Sequence, residues 1–367
     1  MKKKIVVLSN EIGTIYKFRL ELLKELVKNN EVFLISPKTE NQEFFLSEIL
    51  KLGIKFIEIK LERRGINPFK DIEVLLYYYK FLKEIKPNKV LTYTIKPNVY
   101  GGIICRILKI KYIATITGVG TTFQENNLLK KIVVLLNKIA LKNVERIFFQ
   151  NETNLGIYLK NGIIRQEKAK VVNGSGVNLE KFNFQIKKLN SPIRILFIGR
   201  IMEDKGIEEF LEVAKRIKNK YKEKVDFEIL GQYEQERYKD IIENLQKQEI
   251  VKYLGISDDV RNELKEVHCL VNPSWHEGMS NVLLEAGAIK RFLIASNIPG
   301  CREIVLKNQT GFTFEKQNID ELENEINKFI NLSEEKYEEY INNSYNYIKD
   351  NFDRKNIVNE YLKIINL

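Results

Sequence analysis

The chain has 367 residues, of which 44% are hydrophobic and 30% are charged. This length suits two domains rather than one core, and the composition excludes a disordered or fibrous protein. No apolar run is long enough to cross a bilayer, and the short run after Lys4 predicts a first strand rather than a signal peptide. Cys105, Cys269 and Cys301 lack disulfide or zinc spacing, which favours a reducing, cytoplasmic location.

Positive charge is concentrated in the first half of the chain. Residues 1–185 contain 32 Lys+Arg and 17 Asp+Glu, a net charge of +15, whereas the remainder contains 28 and 32, a net charge of −4. A basic field attracts nucleic acid, anionic lipid or phosphorylated substrates, although a solvated lysine-rich surface explains the charge equally well. No zinc, helix-turn-helix or RNA-binding signature accompanies it, so we expect no nucleic-acid partner.

Short β-rich runs alternate with amphipathic helical segments along the chain. The predicted strands cover residues 5–9, 31–36, 54–60, 89–93, 112–116, 146–150, 170–173, 194–198, 226–230, 251–254, 269–272, 292–296 and 311–314. Several are continuously apolar, as in parallel strands buried on both faces. The series restarts at Arg194, which predicts an α/β protein of two doubly wound, Rossmann-like domains. We predict domains over residues 1–185 and 186–350, with a C-terminal helix in 351–367 that packs back on the first domain.

The first of two notable loops in the second domain is suited to a diphosphate. Ligands of doubly wound sheets bind beyond the carboxyl ends of the strands, next to helix N-termini. In residues 199–206, Gly199 permits close backbone approach, and Arg200 and Lys205 are cations that suit phosphate oxygens. A helix-capping surface loop explains this segment alone equally well.

The second loop, residues 273–281, places one carboxylate before a helix and is followed by another inside it. Glu277 stands immediately before Gly278, and Glu285 follows three apolar residues. A carboxylate buried at that position must find hydrogen-bond donors, which ribose hydroxyls would supply. The backbone amides expected to cap the diphosphate are those of Met279, Ser280 and Asn281.

These loops, followed by residues 299–303, resemble the E-x7-E region of the retaining glycosyltransferase family 4, and the resemblance covers essentially the whole chain. It implies the GT-B fold, in which two Rossmann-like domains face a cleft. Glu277 would contact the transferred sugar, Glu285 the ribose, and Arg200 and Lys205 the diphosphate. The implied donor-binding set is Gly199, Arg200, Lys205, Gly231, Tyr253, Gly278, Met279, Ser280, Asn281 and Glu285.

The expected reaction uses a nucleotide-sugar substrate and neither metal nor cofactor. The sequence has no Asp-x-Asp motif, no histidine cluster and no Ser-His-Asp arrangement, so stabilisation of the leaving diphosphate must carry the reaction. The resemblance implies retention of configuration by front-face attack. We interpret His276 as a partly exposed loop histidine rather than a general base.

The first domain is expected to bind the acceptor. It resembles the branch that builds bacterial surface glycans on undecaprenyl diphosphate, many of whose members transfer N-acetylgalactosamine from UDP. That resemblance implies α-linked transfer of a hexose or N-acetylhexosamine, preferably N-acetylgalactosamine, to a lipid-diphosphate-linked saccharide at the inner leaflet. The acceptor candidates are Gly13, Arg19, Lys96, Asn98, Thr117 and Gly118. For Lys96 and Asn98 a turn-forming role is an equal alternative, and Arg19 could instead cover its helix.

Residues 127–142 predict a helix with a wide apolar arc and four lysines. A membrane-surface helix and a buried core helix are equally good interpretations of this pattern. We expect the protein to be cytoplasmic and peripheral to the cytoplasmic face of the membrane, whichever interpretation of this helix holds.

Three other functions compete with glycosyl transfer. A UDP-sugar 2-epimerase of the same architecture is expected to need several acids and histidines in the first domain, and the chain offers few. A dehydrogenase needs a G-x-G-x-x-G motif after a first strand, which is absent. A non-catalytic protein would bind a sugar nucleotide without turnover.

Overall fold

The apolar runs form two parallel sheets in the computed structural model, which describes residues 2–38, 42–61, 68–119, 123, 128–183 and 186–366. Each predicted strand is present, with ends shifted by at most a few residues. The two sheets belong to separate structural units. The first unit runs to Ser175 and resumes at Arg354, and the second is Gly176–Asp353.

The first unit contains a seven-stranded sheet of order β3-β2-β1-β4-β5-β6-β7, in which every neighbouring pair is parallel. Its strands are β1 (Lys3–Leu8), β2 (Asn30–Ser36), β3 (Lys55–Glu58), β4 (Lys89–Tyr93), β5 (Tyr112–Ile116), β6 (Arg146–Phe149) and β7 (Ala169–Val171). Its helices before Ser175 are α1 (Ile12–Asn29), α2 (Glu43–Leu50), α3 (Pro68–Ile85), α4 (Gly102–Ile107), α5 (Leu128–Leu141) and α6 (Glu152–Lys160), and a π-helical turn (Pro97–Gly101) leads into α4.

Both faces of this sheet are covered by helices. Side chains alternate across a strand, so Ile5 and Val7 of β1 join the core beneath α1 and α2, whereas Val6 and Leu8 join the core beneath α3–α6. Because both faces of β1 are buried, its sequence is an unbroken apolar run.

The second unit contains a six-stranded parallel sheet of order β10-β9-β8-β11-β12-β13. Its strands are β8 (Ile193–Ile198), β9 (Val225–Leu230), β10 (Lys252–Tyr253), β11 (Cys269–Asn272), β12 (Phe292–Ser296) and β13 (Phe312–Phe314). Its helices are α7 (Ile207–Tyr221), α8 (Arg237–Lys247), α9 (Arg261–Leu264), α10 (Asn281–Ala288), α11 (Ile319–Ile330) and α12 (Glu334–Phe352).

Each sheet has one point where the strand order reverses. In the first unit this switch point lies between β1 and β4, and in the second it lies between β8 and β11. Ligands of open parallel sheets bind beyond the carboxyl ends of the strands at such a point. The loops singled out from the sequence, residues 199–206 and 273–281, follow β8 and β11 and therefore flank the switch point of the second unit.

The boundary between the units differs from the predicted one at residue 185. Val177 is fully buried in the core of the second unit, and its N–H donates to the carbonyl oxygen of Phe352 at 2.9 Å. This bond ties the chain that begins at Gly176 to the second unit rather than the first. The last helix, α13 (Arg354–Ile365), buries Ile357, Val358, Tyr361 and Ile365 in the core of the first unit beside α1.

Helix α5 combines a packed face with an exposed apolar face. Ala140 and Leu141 are buried against the first unit. The exposed large apolar side chains of this helix are Leu128, Ile132, Leu135 and Ile139. The helix therefore packs on one side and exposes apolar side chains on the other, and membrane binding stays a prediction. Residue 127 of the predicted helix lies outside the described residues. None of the helices in the described ranges is both long and apolar enough to cross a membrane.

Candidate active site

The loops after β8 and β11 touch through their backbones. Gly206 has φ +73°, and a Cβ at this position would lie 2.1 Å from the carbonyl oxygen of Pro273. The N–H of Trp275 donates to the carbonyl oxygen of Asp204 at 2.9 Å. Glycine is required both by the left-handed backbone and by this approach, so the sequence fixes the two loops side by side.

A cation and a carboxylate meet where these loops adjoin. The Lys205 Nζ lies 2.6 Å from the Glu277 Oε1, and the two side chains are 18% and 17% exposed. The Ser274 hydroxyl donates to the same Oε1 at 2.9 Å. The pair offers an ammonium for anionic oxygens beside a carboxylate that can accept from hydroxyls. Ser274 was not predicted, and its only signal was a hydroxyl three residues before Glu277.

A buried carboxylate on α7, that of Glu209, accepts a hydrogen bond from the loop after β11. The Trp275 indole Nε1–H donates to Glu209 Oε1 at 2.7 Å, and Glu209 lies in the first turn of α7. Burial raises the pKa of Glu209, which the indole hydrogen bond opposes. Sequence analysis missed this contact, although Trp275 is the single tryptophan of the chain.

Ser280 does not present its amide to a ligand, contrary to prediction. Its N–H donates to the carbonyl oxygen of Gly300 at 2.9 Å, and its hydroxyl accepts from Asn272 Nδ2 at 2.6 Å. Gly300 has φ +88°, and a Cβ there would lie 2.9 Å from the carbonyl oxygen of Gly278. Ser280 therefore fastens the loop that contains residues 299–303 to the start of α10.

The other residues predicted to bind the sugar-nucleotide donor here differ in how deeply they are buried. Met279 is buried in the core, so only its backbone could serve a ligand. Gly278 and Asn281 are half-buried, and Asn281 is the first residue of α10. Glu285 lies in the second turn of α10 and is half-buried rather than buried. The prediction that it binds ribose hydroxyls stays a prediction.

Gly199, Gly231 and Tyr253 come together at the carboxyl ends of β8, β9 and β10. Gly231 has φ +154°, and a Cβ there would lie 1.7 Å from the carbonyl oxygen of Gly199. The Tyr253 hydroxyl donates to the Gly231 carbonyl at 2.9 Å. Arg200, half-exposed at the same edge, has its Nη1 3.6 Å from Glu234 Oε2. The predicted base-binding and phosphate-binding residues thus share one edge of the sheet.

Two acceptor candidates of the first unit have internal partners instead. Asn98 is buried, with its Oδ1 accepting from the Thr92 hydroxyl at 2.6 Å and its Nδ2 donating to the Thr115 carbonyl at 2.8 Å. Lys96 Nζ lies 2.8 Å from Asp71 Oδ1, in a pair whose side chains are 15% and 14% exposed. Asn98 therefore ties β4 to β5, and the charge of Lys96 is already neutralised.

The remaining acceptor candidates are distributed around the first unit. Gly13 is buried in α1 and packs against Gln42 and Phe45. Arg19 is buried under the rings of Tyr93 and Tyr361. Thr117 and Gly118 follow β5 and are half-buried.

Metal ligands and histidines add little to this site. Across the ranges that the structure describes, no three His, Cys, Asp or Glu side chains are grouped so that they could hold a metal ion. Burial, followed by the nearby Lys316, lowers the pKa of His276. His268 is buried, with its Nδ1 accepting from the Arg194 N–H at 3.0 Å, so it is a structural residue.

Family models match both halves of the chain. The model described as "Glycosyl transferase 4-like" matches residues 4–151. The model described as "Glycosyl transferases group 1" matches residues 179–347, which include both loops of the candidate site.

Individual relatives match most of the chain. A Campylobacter jejuni protein named N,N'-diacetylbacillosaminyl-diphospho-undecaprenol alpha-1,3-N-acetylgalactosaminyltransferase is 28% identical over 97% of this chain and 96% of its own. An Escherichia coli UDP-Gal:alpha-D-GlcNAc-diphosphoundecaprenol alpha-1,3-galactosyltransferase is 28% identical over 83% of each chain.

A solved structure shows the same fold. Anabaena Alr3699/HepE, crystallised with UDP-glucose, has a TM-score of 0.82 and 16% identity over 99% of both chains.

Because the family models and the two relatives are glycosyltransferases by name, the epimerase alternative is not favoured. The chain belongs to the GT-B glycosyltransferases, with a glycosyl transferase 4-like domain followed by a glycosyl transferases group 1 domain.

Proposed function

We propose that this glycosyltransferase is retaining and independent of metals and cofactors, and that it transfers N-acetylgalactosamine from UDP-N-acetylgalactosamine. The product is an α linkage to a lipid-diphosphate-linked saccharide in bacterial surface-glycan synthesis. The second unit binds the donor, and the first binds the acceptor.

The observation that carries the proposal is the Lys205–Glu277 pair at the switch point of the second unit. The Lys205 ammonium neutralises the charge that develops on the departing diphosphate, which is the main requirement for breaking the bond to the sugar. Donor binding draws Lys205 toward phosphate, which leaves the Glu277 carboxylate to accept from a sugar hydroxyl. The complex of Alr3699/HepE with UDP-glucose supports a UDP-sugar donor.

In the proposed reaction the acceptor attacks from the face that the diphosphate leaves, which retains the anomeric configuration. In this proposal a phosphate oxygen of the donor takes the acceptor's proton, so the protein supplies no nucleophile. The chain's residues position the donor and exclude water, and Glu277 also stabilises positive charge on the sugar ring.

The acceptor class is supported by the two relatives, whose names place an undecaprenyl-diphosphate-linked sugar in the reaction. The C. jejuni protein matches this chain over nearly the full length of both and is named for N-acetylgalactosamine transfer. A net charge of +15 over residues 1–185 is suited to a phosphorylated acceptor.

The outer surface of α3, α4 and α5 supports binding at the cytoplasmic face of a membrane. The exposed large apolar side chains of these helices are Phe69, Ile72, Leu76, Ile107, Leu128, Ile132, Leu135 and Ile139. Exposed lysines accompany them at positions 131, 138 and 142 of the same surface. Apolar side chains that insert between headgroups and lysines that meet anionic lipids form an interfacial binding surface.

Transfer can be tested with purified protein, a short polyprenyl-diphosphate-linked saccharide and four donors offered separately with EDTA. The donors are UDP-N-acetylgalactosamine, UDP-N-acetylglucosamine, UDP-galactose and UDP-glucose. We expect the acceptor mass to increase by one N-acetylhexosamine with the first donor and much less with the others. No increase with any donor, or an increase that EDTA abolishes, would contradict the proposal.

A further inference from the structure

Arg19 lies at the switch point of the first unit. It is carried by α1, which follows β1, and it faces Tyr93, the last residue of the neighbouring strand β4. The Arg19 Cζ lies 4.9 Å from the ring centroid of Tyr93 and 5.6 Å from that of Tyr361 on α13. The two rings contact the guanidinium through cation–π interactions.

The guanidinium has no hydrogen-bond acceptor among the described residues, although Arg19 is only 6% exposed. The other buried arginines in those residues are Arg291 and Arg354. Arg291 donates to three backbone carbonyl groups. Arg354 donates to two backbone carbonyl groups and to the Glu21 carboxylate. Arg19 thus differs from every comparable side chain in the described structure.

Such a charge needs a partner for its N–H groups. A guanidinium cannot lose its proton at any ordinary pH, and a buried charge without hydrogen bonds is costly. Aromatic faces attract the cation but do not accept from the N–H groups at its edge. The Tyr93 hydroxyl, on one of the two rings, is also buried without a partner. Unlike the Tyr93 hydroxyl, the Arg19 nitrogens are not fully enclosed, so an oxygen-rich ligand can reach them from solvent.

We infer that Arg19 binds a phosphate-type anion, and that the Tyr93 hydroxyl donates to the same group. The planar fork of arginine matches two oxygens of one phosphate, and the positive charge of residues 1–185 favours an anion there. The anion is the diphosphate of the lipid-linked acceptor, an assignment that rests on the proposed function. The binding of a diphosphate at Arg19 does not depend on it.

The inference can be tested by titrating inorganic pyrophosphate into protein saturated with UDP, so that the donor site is already occupied. The variant is Arg19→Gln, and the matched control is Arg106→Gln, which removes the same charge from the first unit. Arg106 donates to the Ile139 carbonyl at 3.3 Å and is not buried. We expect Arg19→Gln to weaken pyrophosphate binding by about tenfold or more, and the control to bind as the unaltered protein does.

A second measurement needs no folded variant. In protein labelled with ¹⁵N-arginine, the Arg19 Nε–H resonance is expected to shift and saturate with pyrophosphate. Wild-type affinity in a folded Arg19→Gln protein, or an Arg19 resonance that does not move, would overturn the inference.

The source of the anion is decided by transfer kinetics. If the lipid-linked diphosphate occupies the site, Arg19→Gln raises the KM for the acceptor and leaves the KM for the UDP-sugar unchanged, and Arg19→Lys restores part of the loss. An unchanged acceptor KM overturns the acceptor assignment. If the unaltered protein uses no lipid-diphosphate acceptor, the proposed function fails, and pyrophosphate binding still decides whether Arg19 is an anion site.

Discussion

One carboxylate oxygen of Glu277 accepts hydrogen bonds from both Lys205 and Ser274. The Glu277 side chain is only partly buried. We predict that Glu277→Gln lowers kcat by about 10²–10³-fold, because the amide keeps the size of the side chain and removes its charge beside the reacting sugar. The melting temperature is expected to change little. Steady-state transfer assays and thermal unfolding measure both quantities.

The matched control for this variant is Glu212→Gln, which removes a carboxylate that pairs with Arg216 on α7. It should leave kcat unchanged. Equal kcat values for Glu277→Gln and Glu212→Gln would remove Glu277 from the reaction.

His268 makes the stability of the second unit depend on pH. Burial lowers its pKa from 6.5 to about 4. As the pH falls below 6.5, His268 becomes protonated in the unfolded chain but stays neutral in the folded protein until about pH 4. Protonation therefore stabilises the unfolded chain, and the free energy of unfolding falls between pH 6.5 and about pH 4. The loss attributable to His268 is about 3 kcal/mol.

Urea unfolding from pH 7 to pH 4 tests this prediction. The decrease in the free energy of unfolding should be smaller for His268→Gln than for the unaltered protein by about that amount, whatever their difference at pH 7. Parallel pH profiles for the two proteins would show that His268 is not responsible.

At the residue scale, the sequence indicated which residues belong to the candidate site better than it indicated their hydrogen-bond partners. Gly199, Lys205 and Glu277 could be singled out because glycine, cation and carboxylate occur in short, ordered loops. The internal bonds of Asn98 and Ser280 could not be foreseen, because their partners, Thr115 and Gly300, become neighbours only through the fold. Amides and hydroxyls bind a ligand or tie the backbone with the same chemistry, and only tertiary structure separates the two roles.

At the scale of elements, the contact between the loops after β8 and β11 depends on Gly206. Gly53 offers a matched comparison, since its φ of +78° is close to the +73° of Gly206 and a Cβ there meets nothing within 4 Å. We predict that Gly53→Ala costs about 1 kcal/mol from backbone conformation, and that Gly206→Ala costs about 1–3 kcal/mol more from the clash with Pro273. Urea unfolding of both variants measures the difference.

Gly206→Ala should also weaken UDP binding, because the same clash separates Lys205 from Glu277. Equal losses of stability in the two variants would mean that the close contact between Gly206 and Pro273 does not hold the loops together.

Helix α5 carries the prediction of membrane binding. Ile132 and Leu135 are 47% and 57% exposed. The double variant Ile132→Asp/Leu135→Asp should reduce flotation with vesicles that contain anionic lipid by at least about tenfold, because two inserting side chains become charged.

The control for α5 is Ile241→Asp/Ile256→Asp, in which two exposed apolar side chains of the second unit are replaced. It should float as the unaltered protein does. Equal flotation of all three proteins would exclude α5 from membrane contact.

Strands were the elements that the sequence predicted best. Central strands such as β4, β5, β11 and β12 match their predicted limits, because burial on both faces makes them unbroken apolar runs. Strand β10 is shorter than predicted, since an edge strand pairs on one side only.

At the scale of the whole molecule, the repeat of the βα series was enough to predict two doubly wound units. It could not place their boundary, because Val177 joins the second unit through a hydrogen bond to Phe352, far away in sequence. Positive charge is concentrated before residue 185, and the loops predicted to bind a diphosphate come after it. This division of the chain matches the proposed acceptor and donor roles.

The most direct test of the proposed retaining, metal-independent transfer is the anomeric configuration of the transferred sugar. We propose to react UDP-N-acetylgalactosamine with a short polyprenyl-diphosphate-linked saccharide in the presence of EDTA and to read the new anomeric proton by ¹H NMR. The predicted result is an α-linked product formed at the same rate with and without EDTA. A β-linked product, or release of UDP without a new linkage, would contradict it.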